Sequence, residues 1–266
     1  MTMYNDYFEH QKKYQKKFGE KAIVLMENGK FYELFSDEKD PILLRKVCDE
    51  LGIILSRKSK ERRDLPFDKN PHMAGIPTHC SDRFIETLQK KGYYIIIVEQ
   101  TGPATAGGFK REVTQIITPG TILKLRNSDS NYLMNIYITE YTDKYNKYFL
   151  YYAVSVIDVT TGKIYLYDDK NIYNFIHSHL PNEILFYNLS KISLEDIIND
   201  LNLHNISHKE FKSFNKELLK NSYENEFFKK VYNIKSQLES TDFLGIALYK
   251  DSIVSLILLL QYVHEL

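Results

Sequence analysis

The sequence of 266 residues contains no tryptophan, only two cysteines and no formal net charge. Its 35 basic residues equal its 35 acidic residues, which excludes a polybasic tail that binds nucleic acid through bulk charge. Cys48 and Cys80 show no pairing pattern, which predicts reduced thiols in a reducing compartment. The set of His72, His79 and Cys80 lacks the spacing of a zinc site, so we predict no metal.

Long hydrophobic runs are also missing. The longest, from Ile253 to Leu260 with Ser255 inside it, is far shorter than a membrane span. Residues 1–17 are polar and aromatic, unlike the apolar stretch of a secretory signal. A hydrophobic content of 43% is nevertheless enough to build cores for one large domain or two smaller ones. We therefore predict a soluble, intracellular globular protein without a membrane partner.

The most informative segment is residues 29–35, GKFYELF, which follows the apolar run at 22–26. We predict a tight turn that opens into a strand. Side chains alternate along a strand, so Phe31, Glu33 and Phe35 should share one face. An acid between two phenylalanines breaks the usual separation of apolar and charged faces. Two interpretations follow: Phe31 is core and Glu33 a solvated acid, or the two side chains are offered to a ligand.

The order of patterns along the chain predicts two domains. Residues 1–123 alternate strands and helices, with a glycine-rich loop at 102–108, and end at a turn. The polar segment 124–131 is the predicted linker. Residues 132–266 begin with consecutive strands, after which helices and strands alternate and a mostly apolar helix closes the sequence. The fold class is therefore α/β (α+β), with two mixed sheets flanked by helices.

Residues 29–35 resemble the Gly-x-Phe-Tyr-Glu-Leu-Phe motif of the MutS family of DNA mismatch-repair proteins. Four further blocks resemble that family's first domain, in its order. They are LGI at 51–53, MAGIPTH at 73–79, Gly92-Tyr93 before a strand that ends at Glu99-Gln100, and the segment from KREV at 110–113 to TPGT at 118–121. Residues 132–266 resemble, more weakly, the family's connector domain, which implies an RNase H-like arrangement.

The resemblance implies binding of double-stranded DNA that contains mispairs or small loops. Mispaired steps stack poorly, so they kink and admit an aromatic wedge at lower cost than matched steps. In the family's pattern, Phe31 stacks on the mispaired base and Glu33 hydrogen bonds to it. Motif position adds eight further candidates for DNA contact. These are Lys30, Arg57, Lys58, Met73, Pro77, His79, Lys110 and Arg111. For His79 a capping or structural role is an equal alternative.

The basic segment 56–64 contains Arg57, Lys58, Lys60, Arg62 and Arg63. Runs of charge are usually solvated loops. Beside a strand that reads DNA, such a segment would instead position phosphates. Overall, residues 1–123 contain 20 basic and 17 acidic residues, so the positive excess is small. Any grip on DNA must come from where individual charges are placed.

The resemblance also implies partners and cofactors beyond this region. It implies a dimer in the full-length form, downstream repair proteins bound through the connector domain, and ATP with magnesium in a C-terminal part. No phosphate-binding loop of the form Gly-x-x-x-x-Gly-Lys-Ser/Thr occurs in the 266 residues, so we predict no enzymatic activity and no cofactor for them. The compartment could be a nucleoid, a nucleus, an organelle or a viral factory.

A metal-dependent nuclease is the alternative function. Asp158, at a strand end, lies where RNase H-like enzymes keep their first metal-binding carboxylate. Two-metal chemistry needs several converging acids, and the available ones are Glu183, Asp196, Asp200 and Asp242. An aspartate before Thr-Thr-Gly is, however, also ordinary turn chemistry.

Overall fold

The computed structural model describes residues 3–105, 108–121, 130–142, 144–145 and 147–266. These residues form two compact units, Met1–Pro119 and Gly120–Leu266. The division lies shortly before the predicted boundary at residue 123. The predicted linker at 124–131 falls almost entirely outside the described residues, so it stays a prediction. Within the described ranges, no helix is long and apolar enough to cross a bilayer.

The first unit is built on a mixed sheet of six strands. The strands are β1 (Ala22–Asn28), β2 (Phe31–Ser36), β3 (Ser56–Arg57), β4 (His72–Pro77), β5 (Tyr94–Thr105) and β6 (Gly108–Ile117). The helices are α1 (Met3–Phe18), α2 (Ile42–Leu51) and α3 (Ser81–Lys90), and a 3-10 turn at Thr78–Cys80 precedes α3. The strand order is β3-β4-β2-β1-β5-β6, with only the β1 and β5 pair parallel.

Helices cover both faces of this sheet, which explains why β1 and the first half of β5 are apolar without alternation. Leu34 and Ile76 point towards α2 and α3 on one face. On the other face α1 packs through its aromatic side chains. Tyr7 meets the Phe35 ring edge-on at 5.2 Å, and Phe18 stacks on Tyr94 at 5.1 Å between ring centroids. The first helix is therefore amphipathic, with its buried aromatic side chains facing the sheet.

The glycine-rich segment at 102–108 was predicted to be a loop, and this prediction is wrong for its described part. β5 continues to Thr105 and pairs with β6, which begins at Gly108. The register of the two strands shifts between Thr101 and Thr105. A bulged hairpin arm accepts glycine because the extra residue needs backbone freedom, so glycine content alone did not identify a loop.

The second unit also contains a mixed sheet, which confirms two mixed sheets flanked by helices. Its strands are β7 (Tyr132–Thr142), β8 (Tyr148–Asp158), β9 (Lys163–Asp169), β10 (Glu183–Asn188) and β11 (Ser207–Phe211), in the order β11-β10-β7-β8-β9. The helices are α4 (Tyr173–His179), α5 (Leu194–Leu201), α6 (Asn221–Val231), α7 (Ser240–Phe243) and α8 (Lys250–His264), with a 3-10 turn at Lys216–Leu219. The RNase H-like assignment stays a prediction.

The apolar helix α8 packs on the sheet as its composition predicted, and Ser255 in its middle is fully buried. The Ser255 hydroxyl lies 3.0 Å from the carbonyl oxygen of Asn135, 2.9 Å from the Asn135 side-chain nitrogen and 2.9 Å from the Ser155 hydroxyl. A buried polar group is stable only when it has such partners. These bonds therefore fix which turn of α8 faces β7 and β8.

Gly120, at the start of the second unit, occupies a site with no room for a side chain. A Cβ atom there would lie 2.8 Å from Leu133 Cδ1 and 2.9 Å from Glu183 Cβ. The Gly120 N–H donates to Glu183 Oε2 at 3.0 Å, and the Asn131 side chain donates to the Gly120 carbonyl at 3.1 Å. The backbone is thus held at the place where a methyl group would collide with buried atoms.

We expect Gly120→Ala to lower the free energy of unfolding of the second unit by about 1–3 kcal/mol, the usual cost of overpacking a filled interior. Urea unfolding followed by fluorescence or circular dichroism measures this loss. In a Leu133→Ala background, where one colliding side chain is removed, the same change should cost less. An equal cost in both backgrounds would contradict the collision.

Candidate functional site

Three side chains of β2 lie on one face of the sheet and become more exposed towards the hairpin turn. Phe35 is 4% exposed, Glu33 is 9% exposed and Phe31 is 47% exposed. α1 covers the Phe35 end, whereas Phe31 directly follows the turn, in which Gly29 adopts a φ of +63°. Tyr32 and Leu34 are buried on the opposite face, as strand alternation predicted.

The interpretation in which Phe31 is core and Glu33 is solvated expects the opposite order of exposure. The Phe31 ring is half exposed, and the Glu33 carboxylate is largely covered. An exposed aromatic ring at the rim of a sheet has the access that a ligand requires, although single exposed apolar residues are also common on surfaces. The structure therefore leaves Phe31 available at the position where the motif places it.

Gly75 gives the Phe31 ring its place. In the antiparallel β2–β4 pair, Glu33 lies opposite Gly75 and Phe31 opposite Pro77. A Cβ atom on Gly75 would come within 3.6 Å of Phe31 Cδ1, so the ring leans over the side-chain-free backbone. Sequence reasoning did not single out Gly75, although the residue lies within the MAGIPTH block. The strand register, known only from the structure, reveals its role.

Glu33 forms an ion pair with Lys58. Lys58 Nζ lies 2.8 Å from Glu33 Oε2 and 5.3 Å from the centre of the Phe35 ring. The Lys58 backbone is fixed as well, because its N–H donates to the Pro71 carbonyl at 2.9 Å. Within the described ranges, no donor contacts the second carboxylate oxygen, Oε1. Glu33 is thus neutralised on one oxygen and open on the other.

Arg57, the neighbour of Lys58, has a different set of contacts. Its guanidinium donates to the carbonyl oxygens of Asn70 at 2.7 Å and Leu65 at 2.8 Å, and it lies 4.1 Å from the centre of the Phe67 ring. The buried Asn70 side chain in turn bonds to the backbone of Ser59 and Arg62. Arg57 and Asn70 therefore organise the basic loop from within.

Three basic side chains of that loop point outwards. Lys60, Arg62 and Arg63 are exposed, and in the part of the chain that the structure describes no carboxylate pairs with them. Free, flexible cations on a fixed loop can meet a phosphate without first breaking an ion pair. Lys60, Arg62 and Arg63 are thus better placed for phosphate contact than Arg57, which the sequence analysis favoured by motif position.

Three other candidates lie close to Phe31, and a fourth, Met73, lies further along β4. Lys30 is exposed in the hairpin turn, and its carbonyl accepts from the Thr78 N–H at 3.0 Å. Met73 lies opposite Phe35 and Pro77 opposite Phe31 on β4. His79 is exposed on the 3-10 turn after β4. The strand pairing therefore brings Lys30, Pro77 and His79 to the Phe31 end of the sheet, whereas Met73 lies at the Phe35 end.

Lys110 and Arg111 do not join this group. Both belong to β6, which β1 and β5 separate from β2. Lys110 is paired with Glu112, and Arg111 Nε donates to the Glu27 carbonyl at 3.2 Å. Lys110 and Arg111 thus lie in the motif segment, but their side chains bond to other residues of the sheet.

Tyr32, on the opposite face from Phe31, anchors β2 to β5. Its hydroxyl donates to Glu99 Oε1 at 3.0 Å. Burial, together with the nearby Glu99 carboxylate, raises the pKa of Tyr32 well above its usual value, so the phenol stays a donor at neutral pH. This bond holds the strand that presents Phe31.

Asp158 is the candidate metal ligand of the nuclease alternative. Its side chain is buried, and it accepts hydrogen bonds from the turn that follows it. Its Oδ1 accepts from the Asn131 N–H at 3.3 Å and from the Thr160 N–H and hydroxyl at 3.0 and 2.7 Å, while Oδ2 accepts from the Thr161 hydroxyl at 2.8 Å. Burial raises the pKa of Asp158, but these hydrogen bonds outweigh burial and hold the pKa at about 2.

The remaining acids do not complete a metal site with Asp158. Glu183 is buried and accepts from Gly120 and from the Tyr262 hydroxyl, at 3.0 and 2.9 Å. Asp196 bonds to Ser193 at the start of α5. Among the described residues, no three histidines, cysteines or acids lie close enough to hold an ion. The nuclease alternative thus gains no support from the geometry.

Comparison with known proteins identifies relatives among the DNA mismatch-repair proteins. Residues 2–126 match the family model described as MutS domain I. The DNA mismatch repair protein MutS of Caldanaerobacter subterraneus subsp. tengcongensis is 32% identical over 275 residues, which cover 99% of this chain and 28% of that protein. The MutS of Thermodesulfovibrio yellowstonii is 36% identical over 167 residues, which cover 62% of this chain and 17% of that protein.

A viral protein is also similar over nearly the whole chain. The putative DNA mismatch repair protein mutS homolog of Acanthamoeba polyphaga mimivirus is 24% identical over 303 residues, which cover 99% of this chain and 26% of that protein. The chain therefore spans little more than a quarter of the relatives that it matches from end to end.

Proposed function

Because this chain belongs to the MutS family of DNA mismatch-repair proteins, we propose that it binds double-stranded DNA containing mispairs or small loops. The first unit would read the mispair, with Phe31 as the wedge and Glu33 as the hydrogen-bonding partner of the base. The observation that carries this proposal is the half-exposed Phe31 ring at the one end of the β2 face that α1 leaves uncovered.

A protein that searches for mispairs has to read deformability, because any sequence can contain the error. Opening a matched step costs a few kcal/mol of stacking, and a mispaired step costs less. A phenyl ring can stack on any base, which returns about 1–3 kcal/mol. Phe31 is suited to this role because its ring is accessible before DNA arrives and leans over Gly75.

Glu33 would accept a hydrogen bond from the edge of the displaced base. A carboxylate near phosphates normally weakens DNA binding, so such a residue needs a compensating contact. Its Oε1 atom has no partner among the described residues and is the oxygen open to a base. Lys30 and the exposed cations of the basic loop would contact the flanking phosphates.

Further parts of the proposal rest on the family alone. The full-length protein would be a dimer, with ATP and magnesium bound in regions outside this chain. The second unit would act as a connector that contacts downstream repair proteins. Metal-dependent cleavage by this unit is not proposed, because both oxygens of Asp158 are already bonded within its turn.

Competition binding tests the proposal. The natural protein that contains this chain is titrated with two duplexes of identical sequence, one matched and one with a single mispair. We expect at least about fivefold tighter binding to the mispaired duplex, since one stacked ring supplies that difference. Both affinities should fall as salt is raised, because phosphate contacts contribute to each. Equal affinities for the two duplexes at every salt concentration would overturn the proposal.

A further inference from the structure

We propose that Lys58 acts in DNA binding through Glu33 rather than through a phosphate. Lys58 would cancel the charge of the Glu33 carboxylate and hold it so that Oε1 remains the free acceptor. This inference rests on the proposed function and adds a positioning residue to the same site. It also separates Lys58 from the other cations of the basic loop, which the sequence alone treats as equivalent.

The contacts around Lys58 are those of a fixed partner. Its ammonium group lies 2.8 Å from Glu33 Oε2 and 5.3 Å from the centre of the Phe35 ring, and its side chain is only 32% exposed. Its backbone N–H is bonded to the Pro71 carbonyl. Lys58 is therefore held at both ends, and moving its ammonium to a phosphate would leave Glu33 covered and unpaired.

The ion pair between Lys58 and Glu33 would reduce the electrostatic repulsion between Glu33 and DNA. An unpaired carboxylate close to a phosphate repels it, and the repulsion grows as water is excluded from the interface. With Lys58 attached, the pair carries no net charge, so DNA can approach the β2 face without that penalty. The ammonium occupies Oε2 alone, which directs any base towards Oε1. Lys58 is thus required only while residue 33 is an acid.

The test is a double-mutant cycle on DNA affinity, with Lys58→Met and Glu33→Gln made singly and together in the natural protein that contains this chain. Lys58→Met should weaken binding to matched and mispaired DNA about tenfold when Glu33 is present, because the acid is then unpaired. In the Glu33→Gln background the same change should alter affinity less than about twofold. Lys58→Arg, which keeps the charge, should restore binding.

Lys60→Met is the matched control, because Lys60 lies in the same loop, is exposed and has no acidic partner in the described ranges. As a phosphate contact it should weaken binding by the same factor in both backgrounds and reduce the slope of log affinity against log salt by about 0.9. If Lys58→Met behaves like Lys60→Met, Lys58 is itself a phosphate contact and the inference is wrong.

The cycle remains decisive if Lys58→Met alone fails to fold. The double variant contains no unpaired acid, so its affinity compared with that of Glu33→Gln gives the answer. Equal affinities support the inference, and a weaker double variant overturns it. Both comparisons can be made on matched DNA. Failure of the proposed function would instead appear as equal binding of matched and mispaired duplexes, whatever the outcome of the cycle.

Discussion

Replacing Phe31 by alanine should weaken binding to mispaired DNA by about 1–3 kcal/mol, a factor of about 5–150, and leave binding to matched DNA almost unchanged. The stacking ring contributes only where a base step opens, and matched DNA is held by phosphate contacts. Because the ring is half exposed, its removal should lower the free energy of unfolding by less than about 1 kcal/mol. Melting curves and both affinities measure these effects.

Phe35→Ala is the control that the chain itself supplies. Phe35 is the same residue type on the same face of the same strand, but it is 4% exposed and packs against Tyr7. Its removal should cost about 3–5 kcal/mol of stability, and binding of both DNA forms should decline together. If Phe31→Ala destabilises the first unit as much as Phe35→Ala, the ring is part of the core and the wedge is wrong.

The sequence predicted which side chains share the β2 face but not how exposed each one is. Alternation along a strand places Phe31, Glu33 and Phe35 together whatever surrounds them. Exposure depends on where α1 lies across the sheet, and α1 reaches Phe35 but leaves Phe31 open. That arrangement is a tertiary property, which no pattern within seven residues encodes.

The sequence also could not predict which groups the neighbouring cations Arg57 and Lys58 contact. Arg57 and Lys58 look alike in a basic run, but the short strand β3 ends at Arg57. Arg57 bonds to Asn70 and Leu65 within the loop, whereas Lys58 reaches Glu33, 25 residues earlier in the chain. The strand β11 depends on a tertiary contact in the same way. It is a short edge strand with mixed polar residues, and its pairing with β10 rather than its composition makes it a strand.

Asp158→Asn should destabilise the second unit by about 2 kcal/mol at neutral pH, and the deficit should disappear in acid. The folded pKa of Asp158, about 2, lies below its ordinary value near 3.8, so the ionised group binds fewer protons in the folded than in the unfolded protein. The stabilisation is therefore complete above about pH 4 and is lost as the pH falls towards 2. The difference of nearly two pKa units corresponds to about 2 kcal/mol.

Urea unfolding of the natural sequence and the variant from pH 7 to pH 2 measures this prediction, with Asp200→Asn as the control. Asp200 is an exposed aspartate on α5, so its removal should change stability by less than about 0.5 kcal/mol at every pH. Other carboxylates titrate equally in both proteins and cancel in the comparison. A deficit that persists unchanged at pH 2 would show that Asp158 stabilises the turn by packing rather than by its charge.

The same proteins test the nuclease alternative. Magnesium-dependent cleavage that Asp158→Asn abolishes would require the carboxylate to leave the turn that now holds it.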